Sequence, residues 1–185
     1  PVHVDDSGTY GTRSGKSMKQ SHRGFIMMDY DVDEQEKNPI NCPLEFIRLL
    51  NKAVPELELA DTSFVRTFST SGGLYLKSSG ECIAEPRGFH IYFQVKDARD
   101  IKRFSDALEK RCWLAGLGHI KLSRNGSKML RVPFDTSVFQ PERLCFEAGA
   151  FIPENEDFYQ KRPMPEYYGK AHEVLDTKKL STVDD

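Results

Sequence analysis

Two apolar runs that each end on aspartate constrain this chain most. Residues 24–31 read Gly-Phe-Ile-Met-Met-Asp-Tyr-Asp, and residues 130–135 read Leu-Arg-Val-Pro-Phe-Asp. Between them, residues 88–95 form a third strand-like run that carries a single histidine, His90. Acidic groups at strand ends are a common way to hold divalent cations against a phosphate, so the pattern points to nucleotide chemistry.

The spacing has a physical basis. Side chains alternate faces along a strand, so Asp29 and Asp31 can face one side while Tyr30 faces the other. Two close carboxylates repel unless a cation lies between them. Mg²⁺ and Mn²⁺ take oxygen ligands and share them with substrate phosphates. Asp135, from another strand, would complete a site for two ions of the kind used in phosphoryl transfer. The plainer alternative is that Asp29, Asp31 and Asp33 end a strand and open a polar loop.

Composition narrows the class. The chain has 185 residues, 38% hydrophobic and 29% charged, enough for one domain with a substantial core. No apolar run reaches the roughly 20 residues needed to span a bilayer, and no signal peptide is visible at the start. A cytoplasmic location is expected. The first residue is Pro1, so the natural chain is expected to begin earlier, and to continue beyond residue 185. Cys42, Cys82, Cys112 and Cys145 are widely spaced, which argues against a zinc ribbon and for reduced thiols. A net charge of −2 does not advertise a nucleic-acid binder. Two segments are nonetheless locally basic: Arg13, Lys16, Lys19, His22 and Arg23, and then Lys121, Arg124, Lys128 and Arg131. Such segments are solvated faces or phosphate contacts.

Along the chain, residues 1–22 read as a flexible N-terminal segment. Within it, Gly11-Thr12-Arg13-Ser14-Gly15-Lys16-Ser17 has one residue too few between its glycines for a phosphate-binding P-loop and follows no strand. Strands are expected at 25–31, 64–68, 74–77 and 88–95. A helix is expected over 43–54, with Pro43 in its first turn and Phe46, Ile47, Leu50 and Val54 as its apolar face. A second helix is expected from about Asp97, with Asp97 and Asp100 as a capping arrangement. Its core stripe is Ile101, Phe104, Leu108 and Cys112, and Gly116 or Gly118 ends it. A hairpin over 119–122 and 128–132 turns at Asn125-Gly126, and 141–146 reads as one helical turn. Ser71-Gly72-Gly73 forms a turn whose backbone N–H groups can meet a phosphate or simply make a tight connection. From Pro153, prolines and charged residues read as an extended C-terminal arm or linker, 153–185, leaving a catalytic domain of 23–152. The mixture of helices, strands and hairpins makes the fold class α+β, with a mixed or antiparallel sheet flanked by helices.

These motifs resemble those of the archaeo-eukaryotic primase superfamily, the primase-polymerases. Its strand ending in Asp-x-Asp is matched by Asp29-Tyr30-Asp31. Its small-residue-x-His strand is matched by Gly88-Phe89-His90, and its apolar-Asp motif by Phe134-Asp135. The stretch from Ser69 to Gly149 is similar to primase domains of phages, plasmids and integrated elements, which share Ser71-Gly72-Gly73, Trp113-Leu114-Ala115-Gly116 and Pro141-Glu142-Arg143-Leu144. One departure is Gly88, where the family usually has serine.

The resemblance implies a catalytic core with an RRM-like half, and two Mg²⁺ or Mn²⁺ ions held by Asp29, Asp31 and Asp135. It implies that His90 contacts the triphosphate of the incoming nucleotide. Lys121, Arg124 and Arg131 on the hairpin are candidates for phosphate or template contact, Arg66 a weaker one, and Tyr30, Tyr92 and Phe93 either stack on a base or pack in the core. The expected activity is template-directed DNA priming and polymerisation in replication of a mobile element. Its partners would be a single-stranded DNA template, nucleoside triphosphates and a helicase or accessory domain of the longer chain, with no membrane. Two other classes stay open: a non-catalytic nucleic-acid-binding module of the replication-initiator type, and a different metal-dependent enzyme such as an Asp-x-Asp glycosyltransferase or a nuclease.

Overall fold

The computed structural model describes residues 3–4, 10–11, 14, 18–32, 39–170 and 173–183. The elements in chain order are β1 (His3–Val4), β2 (Tyr10–Gly11), β3 (Gly24–Tyr30), α1 (Pro43–Ala53), β4 (Phe64–Phe68), β5 (Leu74–Leu76), β6 (Cys82–Ala84), β7 (Phe89–Val95), α2 (Ile101–Leu114), β8 (His119–Leu122), β9 (Lys128–Arg131), β10 (Phe158–Gln160) and β11 (Glu166–Tyr168). Among the described residues the class is α+β, with antiparallel sheets and two α-helices. No helix among the described residues is long and apolar enough to cross a membrane.

The central sheet runs β11-β4-β7-β3, every neighbour antiparallel. β7 therefore separates β3 from β4, which run parallel to each other and are joined by α1, a split βαβ unit. Alternation divides the residues cleanly. Ile26, Met28 and Tyr30 of β3, and Phe89, Ile91, Phe93 and Val95 of β7, point to one face and are buried. Helices α1 and α2 cover that face with Phe46, Ile47 and Leu50, and with Ile101, Phe104, Leu108 and Cys112. Phe46 meets the Phe89 ring edge-on at 5.7 Å and Tyr30 at 5.6 Å. Burying each such large apolar side chain contributes about 1.5–3 kcal/mol.

The helices follow local rules. Pro43 opens α1, where its missing N–H leaves nothing unpaired. Asp97 caps a short 3₁₀ turn at Ala98–Asp100 by accepting from the Arg99 N–H, rather than capping α2 directly. Gly116, in the left-handed region, ends α2.

Three expectations need correction. The helical turn read at 141–146 occurs earlier, at Thr136–Phe139, because Asp135 caps it; residues 143–150 have no regular structure. Tyr30 and Phe93 are core residues and unavailable for stacking on a base. The segment read as an outgoing arm is part of the fold at residues 158–170 and 173–180. β10 pairs with β5, and β11 joins the central sheet beside β4. The Tyr168 ring stacks on Phe64 at 4.9 Å, and Leu175 and Leu180 are buried.

Candidate active site

Three strand ends meet at one end of the central sheet: β3 finishes there, β7 begins there, and β4 finishes there. The register places Asp29 opposite His90, and His90 opposite Thr67. Residues directly opposite each other share a face, so these three form a row on the side away from the helices. Asp31 lies just beyond, exposed to solvent.

Asp135 reaches the same place by another route. After the β8–β9 hairpin the chain passes the free edge of β3, and the Asp135 N–H donates to the Asp29 carbonyl at 3.0 Å. Asp29, Asp31 and Asp135 then line one cavity of about 980 Å³, together with Lys121 and Arg131. Asp135 also has a local role: its carboxylate accepts from the Ser137 N–H and hydroxyl, each at 2.9 Å. The three aspartates converge on the cavity without clustering as tightly as His90, Cys145 and Glu147 do.

The electrostatics mark Asp29. Its Oδ1 is buried and accepts no hydrogen bond; His90 Nε2 is 3.5 Å away, an ion-pair distance rather than a hydrogen bond. Burial, with repulsion from Asp31, lifts the Asp29 carboxyl from an ordinary 3.8 to about 6; His90 opposes the rise, and Asp135 and Glu147 add to it. Around Asp29 the repulsion of neighbouring carboxylates and burial together outweigh the attraction of His90. A hard divalent cation fits that set of oxygen donors, and Asp29, Asp31 and Asp135 are the residues that would hold it.

Glu147 belongs to the site and no sequence signal marked it. It lies in the irregular strap of residues 143–150, which crosses the open face of the sheet. His90 Nδ1 donates to Glu147 Oε1 at 2.5 Å, and the Tyr92 hydroxyl donates to the same oxygen. Burial pushes the Glu147 carboxyl up, but hydrogen bonds from Tyr92 and His90 outweigh it and hold it below the usual range. With Nδ1 engaged, His90 is fixed with Nε2 toward Asp29. The strap is itself held: Arg162 donates to the Glu147 carbonyl at 2.6 Å and to the Phe68 carbonyl at 2.5 Å. Gln160 Nε2 donates to the carbonyls of Thr70 and Gly72, while its Oε1 accepts from the Ala150 N–H.

Other expected residues fall differently. Ser71 and Gly72 sit in the turn that follows β4, at the same end of the sheet, but outside the cavity lining. Glycine is required there by packing: a Cβ on Gly72 would stand 2.6 Å from the Glu85 carbonyl, and the Gly73 N–H already donates to Ala84. Gly88 has φ +68, and a Cβ would lie 2.5 Å from the Tyr30 carbonyl, so this backbone excludes the serine usual in the resembled motif. Arg124 is at the exposed hairpin tip, away from the cavity. Arg66 points to the helix side, paired with Glu166 at 3.1 Å and stacked 3.8 Å over the Phe68 ring. Asp33, Arg13 and Lys16 lie outside the described residues, as does most of the segment resembling a P-loop.

No protein-family model, no curated protein and no solved structure matches this chain.

Proposed function

We propose that this chain is a primase-polymerase-type nucleotidyltransferase, joining nucleotides on a single-stranded DNA template in replication of a mobile element. The observation that carries the reading is Asp29: a half-buried carboxylate with one buried, donorless oxygen, lifted to about 6, in a cavity shared with Asp31 and Asp135. The split βαβ arrangement, with His90 beside Asp29, supports an RRM-like catalytic half of the archaeo-eukaryotic primase kind.

Two bound Mg²⁺ or Mn²⁺ ions would supply a hydroxyl of lowered pKa and neutralise the leaving pyrophosphate. The chain's own residues do the rest. Asp29, Asp31 and Asp135 present oxygen donors. Lys121 and Arg131, which also line the cavity, meet the polyphosphate as positive charges. His90 lies beside Asp29 just outside the cavity lining, with Nε2 turned toward Asp29 while Glu147 holds Nδ1, and it donates to a phosphate oxygen only as the imidazolium, with a proton on Nε2 as well. A cavity of about 980 Å³ is large enough for a nucleoside triphosphate. A helicase or accessory domain of a longer chain would supply the unwound template.

The test is incorporation of labelled nucleotide on single-stranded DNA, with Mg²⁺ or Mn²⁺, by the full chain and by Asp31→Asn. The reading expects cation-dependent synthesis that the variant loses. Single-stranded DNA binding with no synthesis under either cation would replace it with a non-catalytic binding module. Competition by sugar nucleotides but not nucleoside triphosphates would replace it with a glycosyltransferase.

A further inference from the structure

His90 Nδ1, Cys145 Sγ and a Glu147 carboxylate oxygen all lie within 4.8 Å of one another, the only such group among the described residues. Their donor chemistry differs from that of the aspartate cavity. Mg²⁺ and Mn²⁺ select oxygen, whereas an imidazole, a thiolate and one carboxylate together match Zn²⁺. Zn²⁺ commonly takes three protein ligands of this kind and leaves a fourth position open.

The surroundings reinforce the match. Cys145 Sγ lies 3.6 Å from Glu147 Oε1, 2.8 Å from the Tyr92 hydroxyl and 3.0 Å from the Met27 thioether. The Arg162 guanidinium is 3.8 Å from the second Glu147 oxygen and also fixes the strap through its backbone. Two ligands thus come from adjacent alternate positions of one anchored segment, and the third from a buried strand residue. Metal-site ligands are held in place by outer partners of this sort.

We propose that His90, Cys145 and Glu147 form a Zn²⁺ site, chemically separate from the aspartate cavity but sharing His90 with its neighbourhood. Loading releases the Cys145 thiol proton to solvent and moves the Nδ1 proton of His90 to Nε2 or to solvent. Resting on the nucleotidyl-transfer reading, one consequence follows. Seating Zn²⁺ at about 2.0–2.2 Å from both Nδ1 and the Glu147 oxygen spreads their 2.5 Å contact and moves the His90 ring from its place beside Asp29, so Zn²⁺ inhibits synthesis.

Cobalt(II) titration of the full chain, after chelation, reads the site directly. The expected result is a cobalt–thiolate charge-transfer band that saturates at a single equivalent and is displaced by Zn²⁺. Cys145→Ser and Cys145→Ala lose the band and bind Zn²⁺ at least about 100-fold more weakly, while synthesis with Mn²⁺ persists and becomes insensitive to Zn²⁺. Asp31→Asn keeps the band, as does excess Mg²⁺. Absence of the band in the wild type, or its survival in both Cys145 variants, overturns the proposal. A band without any nucleotide incorporation leaves the zinc site standing and defeats the functional reading; incorporation without a band does the reverse.

Discussion

Asp29→Asn should make the cation-free protein more stable at neutral pH. In the folded chain Asp29 titrates at about 6 instead of 3.8, because burial and Asp31 disfavour its charge. Each pH unit between these values is worth about 1.4 kcal/mol, so ionised Asp29 costs the fold about 3 kcal/mol at pH 7.5. The sign follows from linkage. A carboxyl whose pKa is raised by folding contributes stability that is fully present below 3.8 and is lost as pH rises through about 6. Asparagine has nearly the same shape and cannot ionise, so its stability escapes that loss. The gap between variant and wild type should therefore be absent below pH 4, open between pH 4 and 6, and stay constant above. For a chain of this size 1 kcal/mol moves the melting temperature by roughly 2–4 °C, giving about 6–12 °C at pH 7.5. Calorimetry across pH 4 to 8 in a chelating buffer measures it. Added Mg²⁺ or Mn²⁺ should raise the wild-type melting temperature above pH 6 and leave the variant unmoved. An Asp29→Asn protein that melts at or below the wild type at pH 7.5, with no change in the gap toward pH 4, refutes the argument.

Other outcomes follow from the same geometry. Glu147→Ala removes a charged acceptor whose hydrogen bond to His90 is worth about 1.5–3 kcal/mol, and should lower kcat/KM for nucleotide about 10- to 100-fold and the melting temperature by several degrees; an unchanged kcat/KM means Glu147 does not orient His90. Gly88→Ser introduces a side chain at positive φ against the Tyr30 carbonyl. The strain alone is about 1–3 kcal/mol, so the melting temperature should fall by several degrees and cation stabilisation should weaken as β3 shifts; wild-type melting would show that the site tolerates a Cβ. Replacing both Lys121 and Arg131 by alanine should raise the KM for nucleoside triphosphate about tenfold or more and flatten its dependence on salt. A steep salt dependence surviving in that variant places the phosphate elsewhere.

Much of the fold was legible because local periodicity and burial agreed. The apolar stripes of α1 and α2, and the alternation in β3, β4 and β7, each fit within a single window of sequence. Asp29 facing away from Tyr30 follows from the same alternation. What escaped depends on partners far along the chain. β10 and β11 are three residues each; they exist because Tyr159 pairs with Tyr75, and Glu166 with Arg66. Glu147 sits in a stretch with no period of either kind, and its meaning comes only from His90, 57 residues earlier. The turn at Thr136–Phe139 was misplaced because Asp135 was read solely as a ligand, although it also caps.

The clamp formed by Gln160 and Arg162 bears on any attempt to map this domain by trimming. A chain cut after Ile152 would keep all three aspartates and His90, yet would lose the Gln160 and Arg162 hydrogen bonds that fasten Glu147, Ala150 and the turn after β4. Such a truncation would register as inactive for want of scaffolding rather than of chemistry. The smallest piece that keeps the site's scaffolding therefore extends past residue 162, well beyond Asp135, the last acidic residue lining the cavity.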